Sequence, residues 1–240
     1  MNKIRTVSDT KRAFYSIHTR PVNSIYRRVV EELMVEMHLL AVNADFQYDP
    51  IYALGVVTGF DRFMAGYTPE TDKESIFNAL IQAQQEDPQQ YRAEAQRFEE
   101  LGKTLSIDTL TTWAEQAATH NEGNELQQLF HAIATRPKFK YSRLFAIGLY
   151  QLLEQINPEV VDNKEAREKA LSAVATGLNL PQDKLLKDLD LYRSNLDKMV
   201  QTQILMKEIT EAERKKRAER AQKATSATTT ESTEPTNLDA

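Results

Sequence analysis

Residues 23–41 read NSIYRRVVEELMVEMHLLA, and this stretch decides the fold class. Its apolar side chains recur every three or four residues, at Tyr26, Val30, Leu33, Met37 and Leu40. That spacing places them on one face of an amphipathic α-helix. The same spacing returns in residues 91–98, 126–133 and 145–156, and no segment shows the sustained alternation of a half-buried strand. The sequence therefore predicts an all-α fold.

The starts of several helices can be read directly from capping residues. Thr6 stands three residues before Asp9, and Thr71 stands three residues before Glu74. Both pairs have the spacing of a capping box, in which the two side chains satisfy backbone N–H groups of the first turn. In addition, Asp49-Pro50 and Asp87-Pro88 each pair a good N-cap with proline at the first helical position. We expect eight or nine helices before Gly177.

Glycines are scarce, and the positions of four of them suggest roles in helix capping or helix packing. The chain has 7 glycines and 8 prolines in 240 residues, which favours long helices over a turn-rich β-sandwich. Gly102 and Gly177 lie where helix C-caps are expected. Gly55 and Gly59 are four residues apart and share one helical face, which favours close packing against a neighbouring helix. A phosphate-binding loop would need more glycines and a preceding strand.

Composition excludes several classes of functional site. The absence of cysteine excludes disulfides, zinc–thiolate sites and thiol nucleophiles. None of His18, His38, His120 and His131 has a carboxylate or second histidine three or four residues away, so no helical metal site is predicted. No apolar run approaches the roughly 20 residues of a membrane span. The N-terminus resembles neither a secretory signal nor a transit peptide, so we expect a mature form. No catalytic residue and no cofactor are predicted.

Charge is distributed unevenly along the chain. The net charge of −5 argues against nucleic acid as the partner. Residues 1–180 carry 19 basic and 24 acidic side chains, residues 181–223 carry 11 and 8, and residues 224–240 carry 0 and 3. The C-terminal region therefore differs electrostatically from the rest.

A different kind of segment begins at Pro181. An apolar seam follows in steps of four and three, through Leu185, Leu189, Tyr192, Leu196, Met199 and Met206. This is a coiled-coil-like pattern, and neither glycine nor proline interrupts it before Lys223. The predicted organisation is a helical bundle over residues 1–178, a long protruding helix over 179–223 and a disordered tail over 224–240. The alternative is that the seam packs back as one more core helix.

Two sets of residues are candidate binding elements. The first is the seam just described, followed by the cations Arg214, Lys215, Lys216 and Arg217. The second is a loop in which Arg136, Lys138, Lys140 and Arg143 alternate with Phe139 and Tyr141. Such a loop suits an anionic membrane surface or nucleic-acid backbone. The simpler alternative is that its aromatic side chains pack into the next helix.

Four longer strings carry a resemblance to a known family. They are TVSDTKRAF (6–14), RPVNSIYRRVVEELMVEMHLL (20–40), FQYDPIYALGVVTGFDRFMAGY (46–67) and FKYSRLFAIGLYQLLE (139–154). The chain resembles the thylakoid formation protein family, the photosystem II biogenesis and repair factors of oxygenic phototrophs. The likeness covers roughly residues 1–200. The missing transit peptide favours a cyanobacterial-type member.

The resemblance implies a non-enzymatic protein attached peripherally to the cytoplasmic side of the thylakoid membrane. It implies a role in photosystem II assembly and repair and a link to FtsH, the membrane metalloprotease that removes damaged photosystem subunits. Photosystem II subunits are a further candidate partner. The family has no catalytic residues to carry over, and it is described as all-helical with a coiled-coil-like C-terminal helix.

The sequence leaves two alternative functions from different classes open. The first is an adaptor that binds and stabilises the FtsH complex through the C-terminal helix. The second is a lipid- or pigment-binding protein with a pocket inside the bundle. The second rests on the aromatic and sulfur-containing side chains of residues 48–64, which serve equally well as core.

Overall fold

The structure, a computed structural model, describes residues 5–120 and 122–230 and contains eleven α-helices and no strand in those ranges. The helices are α1 (Val7–Ile17), α2 (Ser24–Ala41), α3 (Pro50–Phe63), α4 (Glu70–Gln82), α5 (Pro88–Lys103), α6 (Ile107–Gln116), α7 (Glu125–Ala134), α8 (Arg143–Ile156), α9 (Pro158–Asp162), α10 (Lys164–Gly177) and α11 (Gln182–Thr230). The predictions of an all-α fold and of a long last helix are confirmed. Up to Gly177 the described residues form ten helices rather than eight or nine, and one of these, α9, has only five residues.

Most of the helix starts are where the capping residues predict them. Thr6 and Asp9 form the expected capping box at the start of α1. Asp49 and Asp87 each cap a helix that begins with proline. The capping box predicted at Thr71 is wrong, because α4 begins at Glu70 and Thr71 already lies in its first turn.

The centre of the core is the crossing of α3 and α8. Both helices are buried along most of their length, from Ile51 to Phe60 in α3 and from Leu144 to Leu153 in α8. A Cβ atom on Gly55 would overlap the carbonyl oxygen of Leu144, and one on Gly148 would overlap that of Ile51. The backbones of α3 and α8 therefore approach each other closely where Gly55 and Gly148 lack a side chain. The predicted packing role is confirmed for Gly55, whereas a Cβ atom on Gly59 would have its nearest neighbour 4.0 Å away, at Ile147 Cδ1.

The prediction that Gly102 and Gly177 act as C-caps is wrong. Both lie within the last turn of their helices, and the C-caps are Thr104 and Leu178. A Cβ atom on Gly177 would overlap the carbonyl oxygen of Ala114 in α6. A Cβ atom on Gly102 would lie 2.9 Å from Gln155 Cβ in α8. These glycines therefore allow close approach between helices rather than ending them.

The chain divides into two compact units, and the division falls inside α11, after Ser194. The first unit contains α1–α10 and the beginning of α11, and the second contains α11 from Asn195 onward. The sequence-based boundary lay earlier, between residues 178 and 179. Helix α11 also continues to Thr230, into the stretch predicted to be a tail, and residues 231–240 lie outside the described residues.

Candidate functional site

The apolar seam of α11 is divided between the two units. Leu185, Leu189 and Tyr192 belong to the first unit and are at most 2% exposed. The ring of Tyr192 meets the ring of Phe63 edge-on at 5.7 Å and that of Tyr150 at 6.1 Å. These three seam residues are therefore part of the core of the first unit, and a partner could not reach them while that unit is folded.

The other seam residues belong to the second unit. Leu196 is half-buried, Met199 is 9% exposed and Met206 is 46% exposed. Of the predicted seam, Met206 thus has the largest exposed fraction. The part of the seam that remains available to a partner is confined to the residues after Ser194.

Four exposed aliphatic residues near the seam were missed by the sequence analysis. Val200, Ile204, Leu205 and Ile209 are between 52% and 58% exposed. A heptad pattern identifies a single narrow seam, and these residues lie outside it. The signal was present as steps of four residues, from Leu196 through Val200 to Ile204 and from Leu205 to Ile209. We call residues 196–209 the apolar segment.

A cluster of cations follows the apolar segment on the same helix. Arg214, Lys215, Lys216 and Arg217 are all exposed. Consecutive residues of an α-helix are separated by about 100° around its axis, so these four side chains point in four directions. The cluster therefore forms a charged collar around the helix rather than a single basic face.

The aromatic residues of the loop before α8 pack into neighbouring helices. The ring of Phe139 lies 5.0 Å from that of Phe145, and the guanidinium of Arg136 lies 5.7 Å from the Phe139 ring. The hydroxyl of Tyr141 donates a hydrogen bond of 2.9 Å to Asp188 of α11. Burial, followed by this hydrogen bond, raises the pKa of Tyr141. The loop is thus fixed against α8 and the first turns of α11.

The cations of this loop differ in their surroundings. Arg143 pairs with Glu36 of α2 at 2.5 Å. Lys138 and Lys140 are exposed. The ammonium of Lys184 lies 5.0 Å from the Tyr141 ring, which adds a cation that sequence spacing gave no reason to include. The exposed lysines 138, 140 and 184 are called the loop lysines below.

Three of the four histidines form side-chain hydrogen bonds within the first unit. His18 Nδ1 lies 3.0 Å from Ser75 Oγ, and His38 Nδ1 lies 2.9 Å from Thr10 Oγ1. His131 Nδ1 lies 2.8 Å from the carbonyl oxygen of Ala117. Within the described part of the chain, no three His, Cys, Asp or Glu side chains are grouped so that they could hold a metal ion.

The aromatic region that suggested a ligand pocket is packed as core. Tyr52, Phe60 and Met64 are at most 2% exposed. Tyr52 meets Tyr48 edge-on at 6.0 Å, and Phe60 meets Phe77 at 5.1 Å. These rings therefore contact one another and their neighbours. Among the described residues, no helix is both long and apolar enough to cross a membrane.

Comparison with known proteins places the chain in a family. Residues 6–221 match the family model for the thylakoid formation protein. The chain belongs to the thylakoid formation protein family. This membership confirms the resemblance drawn from residues 6–67 and 139–154, and it ties the chain to thylakoids in an accessory role.

Individual members of the thylakoid formation protein family are similar along almost their whole length. Protein Thf1 of Trichormus variabilis is 59% identical over 216 residues, which cover 90% of this chain and 93% of that protein. Protein Thf1 of Nostoc punctiforme is 58% identical, with coverage of 90% and 92%. A solved structure of Psb29 is 45% identical, has a TM-score of 0.78 and covers 89% of this chain and 99% of its own.

Proposed function

We propose that this thylakoid formation protein is a non-enzymatic adaptor that binds and stabilises the FtsH protease complex during biogenesis and repair of photosystem II. The observation that carries the proposal is the apolar segment, where the four aliphatic side chains Val200, Ile204, Leu205 and Ile209 are each more than half exposed. A concentration of exposed apolar side chains on one segment is typical of a protein-binding site. The FtsH complex is the partner that the family resemblance implies, and the apolar segment is the surface we propose for it.

Physical chemistry supports a contact of useful strength. Full burial of an aliphatic side chain stabilises a complex by about 1.5–3 kcal/mol, so burying the exposed half of each of these four contributes about 1 kcal/mol. The collar of Arg214, Lys215, Lys216 and Arg217 adds attraction to an acidic surface and accelerates association at low salt. Binding should therefore weaken as ionic strength rises, without being abolished.

The loop lysines support a peripheral position on the cytoplasmic face of the thylakoid membrane. Lys138 and Lys140 are held on a loop that Phe139 and Tyr141 fix against the first unit, and Lys184 lies next to that loop at the beginning of α11. A lysine near an anionic membrane surface contributes about 1 kcal/mol of attraction. In this proposal the first unit rests on lipid headgroups through the loop lysines, and the apolar segment binds the protease.

A truncated chain tests the proposed contact with FtsH separately from the proposed contact with the membrane. A chain ending at Ser194 keeps Leu185, Leu189 and Tyr192, which the first unit needs for its core. We expect tagged full-length protein to capture FtsH subunits from solubilised thylakoid membranes and the truncated chain to lose at least nine-tenths of that capture. The truncated chain should still sediment with thylakoid membranes before solubilisation, because it keeps the loop lysines.

The control is the thermal melting of the truncated chain, which should show a cooperative transition. Equal capture of FtsH by both chains would place the binding surface in the first unit and contradict the role of the apolar segment. Failure of the full-length chain to capture FtsH would contradict the proposed function itself.

A further inference from the structure

Helix α1 is held to the first unit by one large buried apolar side chain and a set of polar contacts. It packs against α2 and α4. Of its 11 residues only Thr10 and Phe14 are buried. Residues 18–23 join α1 to α2 outside any α-helix, so α1 can separate from the unit without unwinding its neighbours. The polar contacts therefore contribute much of what keeps α1 in place.

Two of these polar contacts use histidine, and each holds α1 to a different helix. His18 is the C-cap of α1, and its Nδ1 lies 3.0 Å from Ser75 Oγ of α4. Nearer the N-terminus, Thr10 Oγ1 of α1 lies 2.9 Å from Nδ1 of His38 in α2. Both rings are buried, with His18 2% exposed and His38 4% exposed. A change in the charge of either ring therefore acts directly on the docking of α1.

The surroundings of His18 favour its neutral form. Its Nε2 atom is buried and has no hydrogen-bond partner among the described residues. A protonated ring carries N–H groups on both nitrogens, and the one on Nε2 would have no acceptor. Asp72, the carboxylate that faces the ring, already pairs with Arg20 at 2.6 Å. Burial lowers the pKa of His18, Asp72 partly offsets this effect and Arg20 adds to it.

The surroundings of His38 act in the same direction. Burial lowers the pKa of His38, Arg5 lowers it further and Asp9 partly offsets these effects. The guanidinium of Arg5 is fixed in place because it donates a hydrogen bond to the carbonyl oxygen of Ala83, the C-cap of α4. Both histidines of the docked helix therefore stay neutral to a lower pH than an exposed imidazole does.

The ion pair across the same interface responds to a different pH range. Lys11 Nζ lies 2.9 Å from Glu31 Oε2, and the hydroxyl of Tyr15 donates a hydrogen bond of 3.0 Å to the other oxygen. The hydrogen bond from Lys11 lowers the pKa of Glu31 below its usual range. This pair is charged wherever the two histidines titrate, so the histidines are the groups that respond to mild acid.

We propose that α1 is a proton-controlled element of the fold, released from α2 and α4 when His18 and His38 become charged, while the rest of the first unit stays folded. Because both rings have a lower pKa in the docked helix, the released helix binds protons more tightly. Docking is fully stable above about pH 6.5, the pKa of a free imidazole, and weakens as the pH falls towards the lower pKa values of the docked state. With two histidines, the docking constant falls by up to about a hundredfold per pH unit in that range. This inference is independent of the proposed contact with FtsH.

The absence of cysteine allows pairs of spin labels to be placed at chosen positions. Ser16→Cys with Gln96→Cys reports the distance from α1 to α5, and Gln96→Cys with Lys169→Cys reports the distance from α5 to α10. All three positions are exposed. Double electron–electron resonance should give one narrow distance for each pair at pH 8. At pH 5, at least half of the first pair should shift to a broad distribution, and the second pair should not change.

An unchanged first pair at pH 5 would overturn the proposal, and so would a change in both pairs, which would show general unfolding. Substitution of the histidines tests their role. Glutamine cannot be protonated in this range and can still form a hydrogen bond to a hydroxyl. His18→Gln with His38→Gln should therefore stay docked at pH 5. His120→Gln, at an exposed histidine, is the matched control and should release α1 as wild type does. Release in the double variant at pH 5 but not at pH 8 would contradict the proposal.

Nuclear magnetic resonance of the imidazoles in the wild-type chain gives a test that does not depend on any histidine variant. The signals of His18 and His38 should remain those of neutral rings for as long as the spin labels report a docked α1. Both rings should then become charged over the same pH interval in which α1 is released. A ring that is charged while α1 stays docked, or release while both rings are neutral, would show that protonation does not control α1.

Discussion

Replacing Leu189 with aspartate should strongly destabilise the first unit, whereas replacing Leu205 with aspartate should leave its stability unchanged. Leu189 is 2% exposed within the first unit, and Leu205 is 58% exposed in the second. An unpaired carboxylate in the core costs several kcal/mol, so we expect Leu189→Asp to destabilise by about 4 kcal/mol or more. For a domain of this size that lowers Tm by roughly 10 °C.

Thermal denaturation of both variants, followed by circular dichroism, checks this expectation. Leu205→Asp should stay within about 0.5 kcal/mol of wild type, because an exposed substitution away from caps and core has little effect. The same variant should bind FtsH less tightly. If Leu189→Asp instead melted like wild type, the beginning of α11 would not be part of the core, and the division of the seam would be wrong.

Gly55→Ala should destabilise the first unit strongly. Its Cβ atom would overlap the carbonyl oxygen of Leu144, and only movement of one whole helix backbone could relieve the overlap. Overpacking a core typically costs 1–3 kcal/mol, and a clash with backbone belongs at the upper end, about 3 kcal/mol. Urea denaturation measures the change in the free energy of unfolding.

Gly59 provides a matched control on the same helix. The nearest atom to a Cβ at that position is Ile147 Cδ1 at 4.0 Å, an ordinary van der Waals distance. Since alanine is favoured over glycine inside a helix by about 0.5–1 kcal/mol, Gly59→Ala should be neutral or stabilising. Equal destabilisation by Gly55→Ala and Gly59→Ala would contradict the close crossing of α3 and α8.

The sequence predicted those features of the fold that depend on neighbouring residues. The caps at Thr6, Asp49 and Asp87 are local, because the side chain and the backbone N–H groups it satisfies are at most three residues apart. The helical periodicity is also local. The sequence-based prediction for Gly102 and Gly177 was wrong because a glycine near a helix end gives the same sequence signal in two cases. It can form the C-cap of that helix, or it can allow a second helix to pack closely against it.

The candidate site depends on long-range packing, and this limits what a sequence can say about it. Leu189 and Leu205 look alike in a list of apolar residues on one helix, yet only the first has a body of other helices around it. Lys184 approaches the loop before α8 because Tyr141 donates a hydrogen bond to Asp188, 47 residues away in the chain. The periodicity of apolar residues along the sequence cannot reveal such a contact between distant segments.

Site-specific photocrosslinking tests most directly whether residues exposed on the second unit touch the FtsH complex. A benzophenone side chain would replace Ile204, and in a second protein Leu39, which is 57% exposed on α2 of the first unit. After illumination of thylakoid membranes, we predict a covalent adduct with an FtsH subunit from position 204 and none from position 39. An FtsH adduct at neither position, or at position 39 alone, would contradict the account.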